Sequence, residues 1–490
     1  MPHNKRMSNK SEALERIPSG VMGLDEVLEG GFIKGGLYII EGAPGTGKTV
    51  LGNQICFHQI KSGKVVLYVT LIAETVARML LNLRAMNFFD EGAIGNGIVY
   101  VSGFSALKNE GLRGLLHLLR REVLARRVSI VVLDGFAAAS DAASSAEDLK
   151  VFVQQLQIQA DSADATVFLL TNPIESSPSS EETMVDGIIS LSSTVHGSSS
   201  LRELYVRKLR GSSYLEGVHN YKIVQEGLVI YPRLEKRVGR APRDNGELER
   251  VTSGVPRLDV MVGGGLPRRS MTMLVGPSGT GKTTFGLQFL SRATAAEPGL
   301  FFGFYETPAR IRTKSRSFTT LSQALDSGAV EMMWQAPTEW LLDELADNLL
   351  KAVRQRKVRR LFIDGLGGFR KALRSRAIEP FFAALVEELR GEGVTTVCTA
   401  EVAEIIGPTM STGMSDITDN HILMRFIEAG AALYRIISVL KVRDSSFDSG
   451  LRQFSITEEG IEIAEDSRGA ELVLSSVAAR ARQPEIAVSR

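Results

Sequence analysis

At 490 residues the chain is too long for one hydrophobic core, and about 100–200 residues per domain gives two to four domains. With 44% hydrophobic and 23% charged residues, and 57 basic against 56 acidic side chains for a net charge of +1, the composition is that of an ordinary soluble globular protein; it demands neither nucleic acid nor an anionic membrane. The two cysteines, Cys56 and Cys398, lie far apart and make no CxxC spacing, which excludes a readable disulfide framework or zinc site; with no leader-like apolar segment and no run of about 18 apolar residues, the expected location is cytoplasmic, away from membranes.

In chain order, residues 1–16 read as a polar N-terminal extension. From Ile17 to Thr49, "IPSGVMGLDEVLEGGFIKGGLYIIEGAPGTGKT" then aligns without a gap on "VTSGVPRLDVMVGGGLPRRSMTMLVGPSGTGKT", Val251 to Thr283. Lys48 and Lys282 stand 234 positions apart, as do Asp25 and Asp259, and Gly30 and Gly264. Further on, "SIVVLDGF" recurs as "RLFIDGLG" and "YVRKLRGSS" as "SVLKVRDSS". The repeat unit, about 230 residues, suits one α/β domain better than a short-repeat solenoid.

In the first copy, 17–233, the predicted strands "GLYIIEG", "VVLYVT", "SIVVLD" and "TVFLLT" alternate with longer amphipathic stretches. That alternation predicts an α/β fold, a mostly parallel sheet with helices on both faces. The last third, around "RELYVRKLR", predicts antiparallel strands that extend the sheet. Residues 234–250, charged and broken by Pro and Gly, read as a linker. The second copy, 251–465, supplies "SMTMLVG", "GLFFGFY", "RRLFID" and "TTVCTA" in the same order, and 466–490 read as a tail.

Both "GAPGTGKT" (Gly42, Ala43, Pro44, Gly45, Thr46, Gly47, Lys48, Thr49) and "GPSGTGKT" (Gly276, Pro277, Ser278, Gly279, Thr280, Gly281, Lys282, Thr283) follow a strand and precede a helical pattern. In a loop of this spacing the glycines turn backbone N–H groups onto phosphates, the lysine reaches the β and γ oxygens, and the last hydroxyl is offered to magnesium. One match invites the bland reading of a glycine-rich turn; two at equivalent places in a repeat do not. The expected ATP-binding set extends one residue further, to Val50 and Thr284. Asp134 and Asp364 each close an apolar run, which puts a carboxylate at the strand edge where α/β sheets bind ligands and where it can join Thr49 or Thr283 in a magnesium shell. Glu74 and Glu306 follow the second predicted strand of their copies and are the candidate carboxylates for orienting or deprotonating a nucleophile; the alternative is a first-turn glutamate that complements a helix dipole. Glu306 is also a candidate for the magnesium set. "KLRGSS" and "KVRDSS" each carry two cations on alternate strand positions, Lys208 with Arg210 and Lys441 with Arg443. They either reach a γ-phosphate or are solvated edge charges.

Taken together, the "SG...LD...GG" element, both loops, both strand-end aspartates and the "KLRGSS" and "KVRDSS" segments resemble the RecA-superfamily ATPases of the KaiC family. The tandem arrangement is similar to that of its circadian-clock members, over nearly all of residues 17–465. The resemblance implies tandem RecA-like domains, ATP and Mg2+ as cofactors, and a homo-oligomer, a double-ringed hexamer with ATP held between neighbours. Lys208, Leu209, Arg210 and Ser212 in the first copy, and Arg435, Lys441, Val442, Arg443 and Ser445 in the second, would act on the adjacent subunit's nucleotide. It further implies a slow ATPase in the first ring and autophosphorylation in the second, with Ser415 on the family's phosphoacceptor serine and Asp416 where its threonine would be. The chain departs from the family in "AET", Ala73 to Thr75, and "YET", Tyr305 to Thr307, where the family has two adjacent glutamates, and in Asp444 where the first copy has Gly211.

Two other functions are compatible with the loops. A RecA-like DNA-handling ATPase would use the basic runs "ARIRTKSRS", "KAVRQRKVRR" and "FRKALRSRA", although these lack the interleaved aromatics of a single-strand stacking platform. A nucleotide-gated scaffold would bind ATP with negligible turnover, as loss of one glutamate per site permits. No regulatory protein partner is identified by these residues, and nucleic acid is the less expected one.

Overall fold

The computed structural model describes residues 14–71, 76–173, 183–196, 199–237, 249–316, 318–336, 341–372, 378–402, 416–429 and 432–467. The chain divides into two compact units, Met1–Lys236 and Arg237–Arg490.

The first unit contains β1 (Leu37–Gly42), β2 (Val66–Thr70), β3 (Ile98–Ser102), β4 (Ile130–Asp134), β5 (Thr166–Thr171), β6 (Gly187–His196), β7 (Ser199–Leu209), β8 (Val218–Val224) and β9 (Gly227–Tyr231). They form one nine-stranded sheet in the order β9-β8-β7-β6-β1-β5-β4-β2-β3. The six strands from β1 to β6 run parallel, and β6 to β9 continue the sheet antiparallel.

Strand β1 shows why the parallel part reads as an apolar run. Its successive side chains enter opposite faces, and both faces are covered. Leu37 and Ile39 pack beneath the Phe104–Arg126 and Ala146–Ala163 helices, whereas Tyr38 and Ile40 pack beneath the Lys48–Lys61 helix. Phe32, Tyr38 and Phe168 add three ring contacts at 4.8–5.6 Å on that second face, each worth about 0.5–1.5 kcal/mol beyond its buried area.

The second unit repeats the plan with β10 (Met271–Gly276), β11 (Gly299–Gly303), β12 (Val330–Trp334), β13 (Arg360–Asp364), β14 (Thr395–Glu401), β15 (Asn420–Ala429), β16 (Ala432–Val442), β17 (Arg452–Thr457) and β18 (Gly460–Ile463). Their order, β18-β17-β16-β15-β10-β14-β13-β11-β12, is that of the first sheet, position for position. Each unit is therefore the α/β domain expected from the repeat, with a parallel centre and an antiparallel extension. Among the described residues, no helix is long and apolar enough to cross a membrane.

The helix after each phosphate loop approaches its sheet through a glycine, Gly52 in the first unit and Gly286 in the second. A Cβ built on Gly286 would lie 2.1 Å from ring atoms of the buried Phe362, whereas one on Gly52 would meet only the tip of Leu170, at 2.9 Å. Overpacking a close-fitted core costs about 1–3 kcal/mol. Gly286→Ala is expected to lower unfolding stability by that amount, and Gly52→Ala to cost distinctly less, in parallel denaturant unfolding curves.

Candidate functional site

Each phosphate loop emerges from the C-terminal end of the central strand, β1 or β10, and closes on a helix whose N-cap is a glycine. Gly47 and Gly281 have φ of 97° and 104°, make no side-chain cap bond, and precede a first turn without acidic residues. Position and packing both demand glycine there. A Cβ would be strained by the left-handed backbone and would lie 2.7 Å from Ile223 Cδ1 in the first unit or 2.6 Å from Ile456 Cδ1 in the second. Gly42 and Gly276 are buried strand ends, and Ala43, Pro44, Gly45, Ser278 and Gly279 form the exposed turn. Thr46 Oγ1 and Thr280 Oγ1 donate to Ala43 O and Pro277 O, at 2.8 and 2.9 Å, and knit each loop to itself. The uncapped helix start leaves its first N–H groups and positive dipole end available to an anion.

The two lysines fold back over their loops. Lys48 Nζ donates to Gly42 O and Ala43 O at 2.5 and 3.2 Å, and Lys282 Nζ to Gly276 O and Pro277 O at 2.7 Å each. Burial pushes both ammonium groups below the usual lysine range; the Asp134 charge opposes this at Lys48, as do Glu401 and Asp364 at Lys282. Val50 and Thr284, one residue beyond the loops, are half-buried.

The strand-end aspartates meet the loop hydroxyls. Thr49 Oγ1 donates to Asp134 Oδ2 at 2.8 Å, and Thr283 Oγ1 to Asp364 Oδ2 at 3.0 Å. A second donor holds each carboxylate, and the units differ in where it comes from. Tyr68 OH, on β2, donates to Asp134 Oδ2 at 2.7 Å; in the second unit Phe301 occupies that register position, and Thr399 Oγ1, on β14, donates to Asp364 Oδ1 at 3.0 Å. Burial raises the Asp364 carboxyl above the usual range, and the hydrogen bonds from Thr399 and Thr283 oppose it. Sequence reasoning did not single out Tyr68 or Thr399. The Tyr68/Phe301 and Leu170/Thr399 exchanges become visible only when the copies are compared in sheet register.

Glu306 lies beside the second loop. With Lys282, Thr283, Asp364, Lys314 and Glu401 it lines a cavity of 480 Å³. Lys314 Nζ donates to Glu306 Oε1 at 2.5 Å, and Oε2 is buried without a partner among the described residues. Its first-copy counterpart Glu74, and Ser415, lie outside the described residues. Asp416 is described and exposed.

The "KLRGSS" and "KVRDSS" cations are not brought to the loop of their own unit. Lys208 Nζ and Arg210 Nη2 donate to Thr183 O at 3.2 and 2.5 Å, Lys441 Nζ to Thr418 O at 2.9 Å, and Arg443 Nη1 to Asp419 Oδ1 at 3.3 Å. Sheet pairing sets Arg210 level with Leu37 and Arg443 level with Met271, five residues before Gly42 and Gly276 and two strands across. At 3.3 Å per residue and 4.8 Å per strand, that is roughly 19 Å from the loop. Leu209 and Val442 are buried on the same strands, while Ser212 and Ser445 accept from Arg16 and Arg250. Arg435 instead lies near the loop end of its strand, with its guanidinium 5.4 Å from the Phe426 ring centre; at the same register in the first unit, Arg202 Nη1 donates to Gly45 O at 2.8 Å.

The basic run "KAVRQRKVRR" is largely neutralised inside the second unit. Lys351 pairs with Asp347, Arg354 with Glu388 and Glu392, Arg356 with Glu331, and Arg360 with Glu297.

The family described as "ATPase: KaiC" matches residues 17–235 and again 251–468. Over almost its whole length the chain is similar to proteins named "Circadian clock oscillator protein KaiC". It is 24% identical to that of Rippkaea orientalis over 493 residues, covering 96% of this chain and 93% of that protein. It is 24% identical to that of a Picosynechococcus species over 485 residues, with 95% and 92% covered, and 25% identical to that of Parathermosynechococcus lividus over 499 residues, with 97% and 90% covered. Both matched segments enclose a nine-stranded sheet, a phosphate loop and a strand-end Thr–Asp contact, and the chain belongs to the KaiC family of ATPases.

Proposed function

We propose that this tandem ATPase binds Mg-ATP at both loops, holds each nucleotide between neighbouring copies in a double-ringed hexamer, hydrolyses it slowly, and phosphorylates itself on Ser415 as a cytoplasmic signalling switch. The observation that carries the reading is the split between the loops and the cations. Arg210 and Arg443 stand roughly 19 Å from their own loops, by strand and residue spacing, beyond the reach of an arginine. In a ring, the same cations face the nucleotide of the next subunit, where positive charge offsets the charge developing on the transferred phosphoryl group.

The residues at each loop fit that substrate. Lys48 and Lys282 exchange the loop carbonyls for β and γ oxygens, and the backbone N–H groups after Gly47 and Gly281 receive the remaining phosphate charge. Thr49 with Asp134, and Thr283 with Asp364 and Glu306, would hold the magnesium ion, which when bound neutralises charge on the phosphate oxygens. Glu306 orients the attacking oxygen and takes its proton; in autophosphorylation Ser415 Oγ bonds to the γ-phosphorus, the bond to ADP breaks, and the proton passes to the Glu306 carboxylate. Lys314 on Oε1 restrains that base and favours slow turnover. Asp416 keeps a permanent negative charge beside Ser415, part of what a second phosphate would supply. DNA handling finds little support, since Arg354, Arg356 and Arg360 of the 351–360 run are paired with carboxylates of their own unit.

Incubation with γ-labelled ATP, intact mass measurement and native mass spectrometry test the reading together. The expected result is ATP-dependent hexamers, with one phosphate on the wild-type chain and on Lys48→Ala but none on Ser415→Ala or Lys282→Ala. Hexamers with tight ATP binding but neither label nor phosphate release would instead make the chain a nucleotide-gated scaffold. The two aspartate supports give a site-specific test. Loss of a hydrogen bond of about 1 kcal/mol should weaken Mg-ATP binding roughly fivefold at the first site in Tyr68→Phe and at the second in Thr399→Val. Nucleotide titrations are run with the other loop silenced by Lys→Ala.

A further inference from the structure

Glu41 immediately precedes the first phosphate loop and is only 5% exposed. Its Oε1 accepts from Arg207 Nη1 at 2.9 Å and from the Ser190 hydroxyl, while Oε2 has no hydrogen-bond partner among the described residues. The contact reaches from β1 across Ser190 of β6 to β7. Arg207 itself is exposed, and an ion pair with a solvent-exposed partner contributes only about 0–1 kcal/mol to folding, while the buried carboxylate oxygen left unsatisfied is a cost that an apolar pair avoids. The second unit demonstrates the apolar alternative, with Val275 and Leu440 at the corresponding positions of the same sheet. The fold does not need the pair, yet both members are present together on strands that are not adjacent in the sheet.

Where Arg207 sits gives the pair a purpose. Ile188 is opposite Lys208 and Ile189 opposite Val206, so Arg207 is the extra residue of a β-bulge. The second unit has the same bulge, His421 opposite Lys441 and Ile422 opposite Val439; its extra residue Leu440 is exposed, as Arg207 is, but is apolar and has no charged group to tie it to the central strand. A bulge re-aims the strand on its far side, and here that side carries Lys208 and Arg210. We propose that Arg207, held by Glu41, is a positioning residue of the first unit: it fixes the bulge from which Lys208 and Arg210 are aimed at the neighbouring subunit's nucleotide. The inference rests on the trans-acting role proposed for those cations. Because Glu41 is bonded to Gly42, their aim is referenced to the subunit's own phosphate loop. The second unit aims Lys441 and Arg443 from a bulge built around leucine, so the two rings differ in this device.

The test uses the full chain with the second loop silenced by Lys282→Ala. The double variant Glu41→Val with Arg207→Leu installs the second unit's own residues, and Arg207→Lys keeps the charge without the forked donor. We expect first-site kcat to fall about tenfold in the double variant, with binding of a fluorescent ATP analogue and the melting temperature unchanged, and Arg207→Lys to retain an intermediate rate. Unchanged kcat, or nucleotide affinity falling in step with kcat, overturns the proposal. If the double variant melts early, Glu41→Gln, which keeps the shape and removes the charge, is read by the same criteria. Lys208→Ala and Arg210→Ala in the same background separate the two levels. If these slow turnover and the double variant does not, only the positioning role fails; if they leave turnover unchanged, the trans reading fails and takes the inference with it.

Discussion

The organising constraint in each unit is a helix that begins without a cap. Gly47 and Gly281 bring no side-chain oxygen to the first N–H groups, and neither helix has an acid in its first turn. Such a start is left short of partners until an anion arrives. The surroundings are arranged around that deficit. The central strand delivers the loop at the sheet edge, Ile223 or Ile456 fills the space where a capping side chain would begin, and the lysine occupies the loop carbonyls until phosphate oxygens compete for it.

Duplication then lets the two sites be compared as independent solutions on one scaffold. Both need the strand-end aspartate oriented towards the loop hydroxyl. In the first unit the supporting donor comes from one neighbouring strand through Tyr68; in the second it comes from the other neighbour through Thr399, while Phe301 and Leu170 close the vacated positions with apolar surface. A single hydrogen bond has been moved from one side of the carboxylate to the other without disturbing sheet order. That exchange argues that the orientation of the carboxylate, not the identity of its supporter, is what the site requires.

The parallel centre of each sheet was legible because its strands are buried on both faces and read as unbroken apolar runs. Edge strands were not: "IVYVS" and "VEMMW", which became β3 and β12, are only partly covered and give no such run. The phosphate loops were legible for a different reason, since a backbone that must turn its N–H groups inward leaves few residues that will serve. What escaped were contacts fixed by register between distant segments, among them Tyr68 with Asp134, Thr399 with Asp364, and Glu41 with Arg207. The same distance in sequence explains why the 351–360 run looked available for nucleic acid: Glu388, on the Ile378–Gly391 helix, and Glu392, in the turn just after it, hold Arg354.

If the chain assembles as proposed, charge at the second site links nucleotide binding to that assembly. The cavity beside the loop is lined by three cations, Lys282, Lys314 and Arg370, and by three carboxylates, Glu306, Asp364 and Glu401. Lys314 is paired with Glu306, and at Lys282, which burial lowers, the charges of Glu401 and Asp364 oppose that shift. Among the described residues lining this site, a triphosphate meets as many carboxylates as cations, and the carboxylates oppose it. In the proposed ring, surplus positive charge would come from outside, as a divalent cation and as the lysine and arginine of an adjacent copy, whose own loop is too distant to use them. Under that arrangement, affinity for ATP and affinity for the next subunit would share one electrostatic term, each strengthening the other by the same factor, and an isolated subunit would be the form least able to hold its nucleotide.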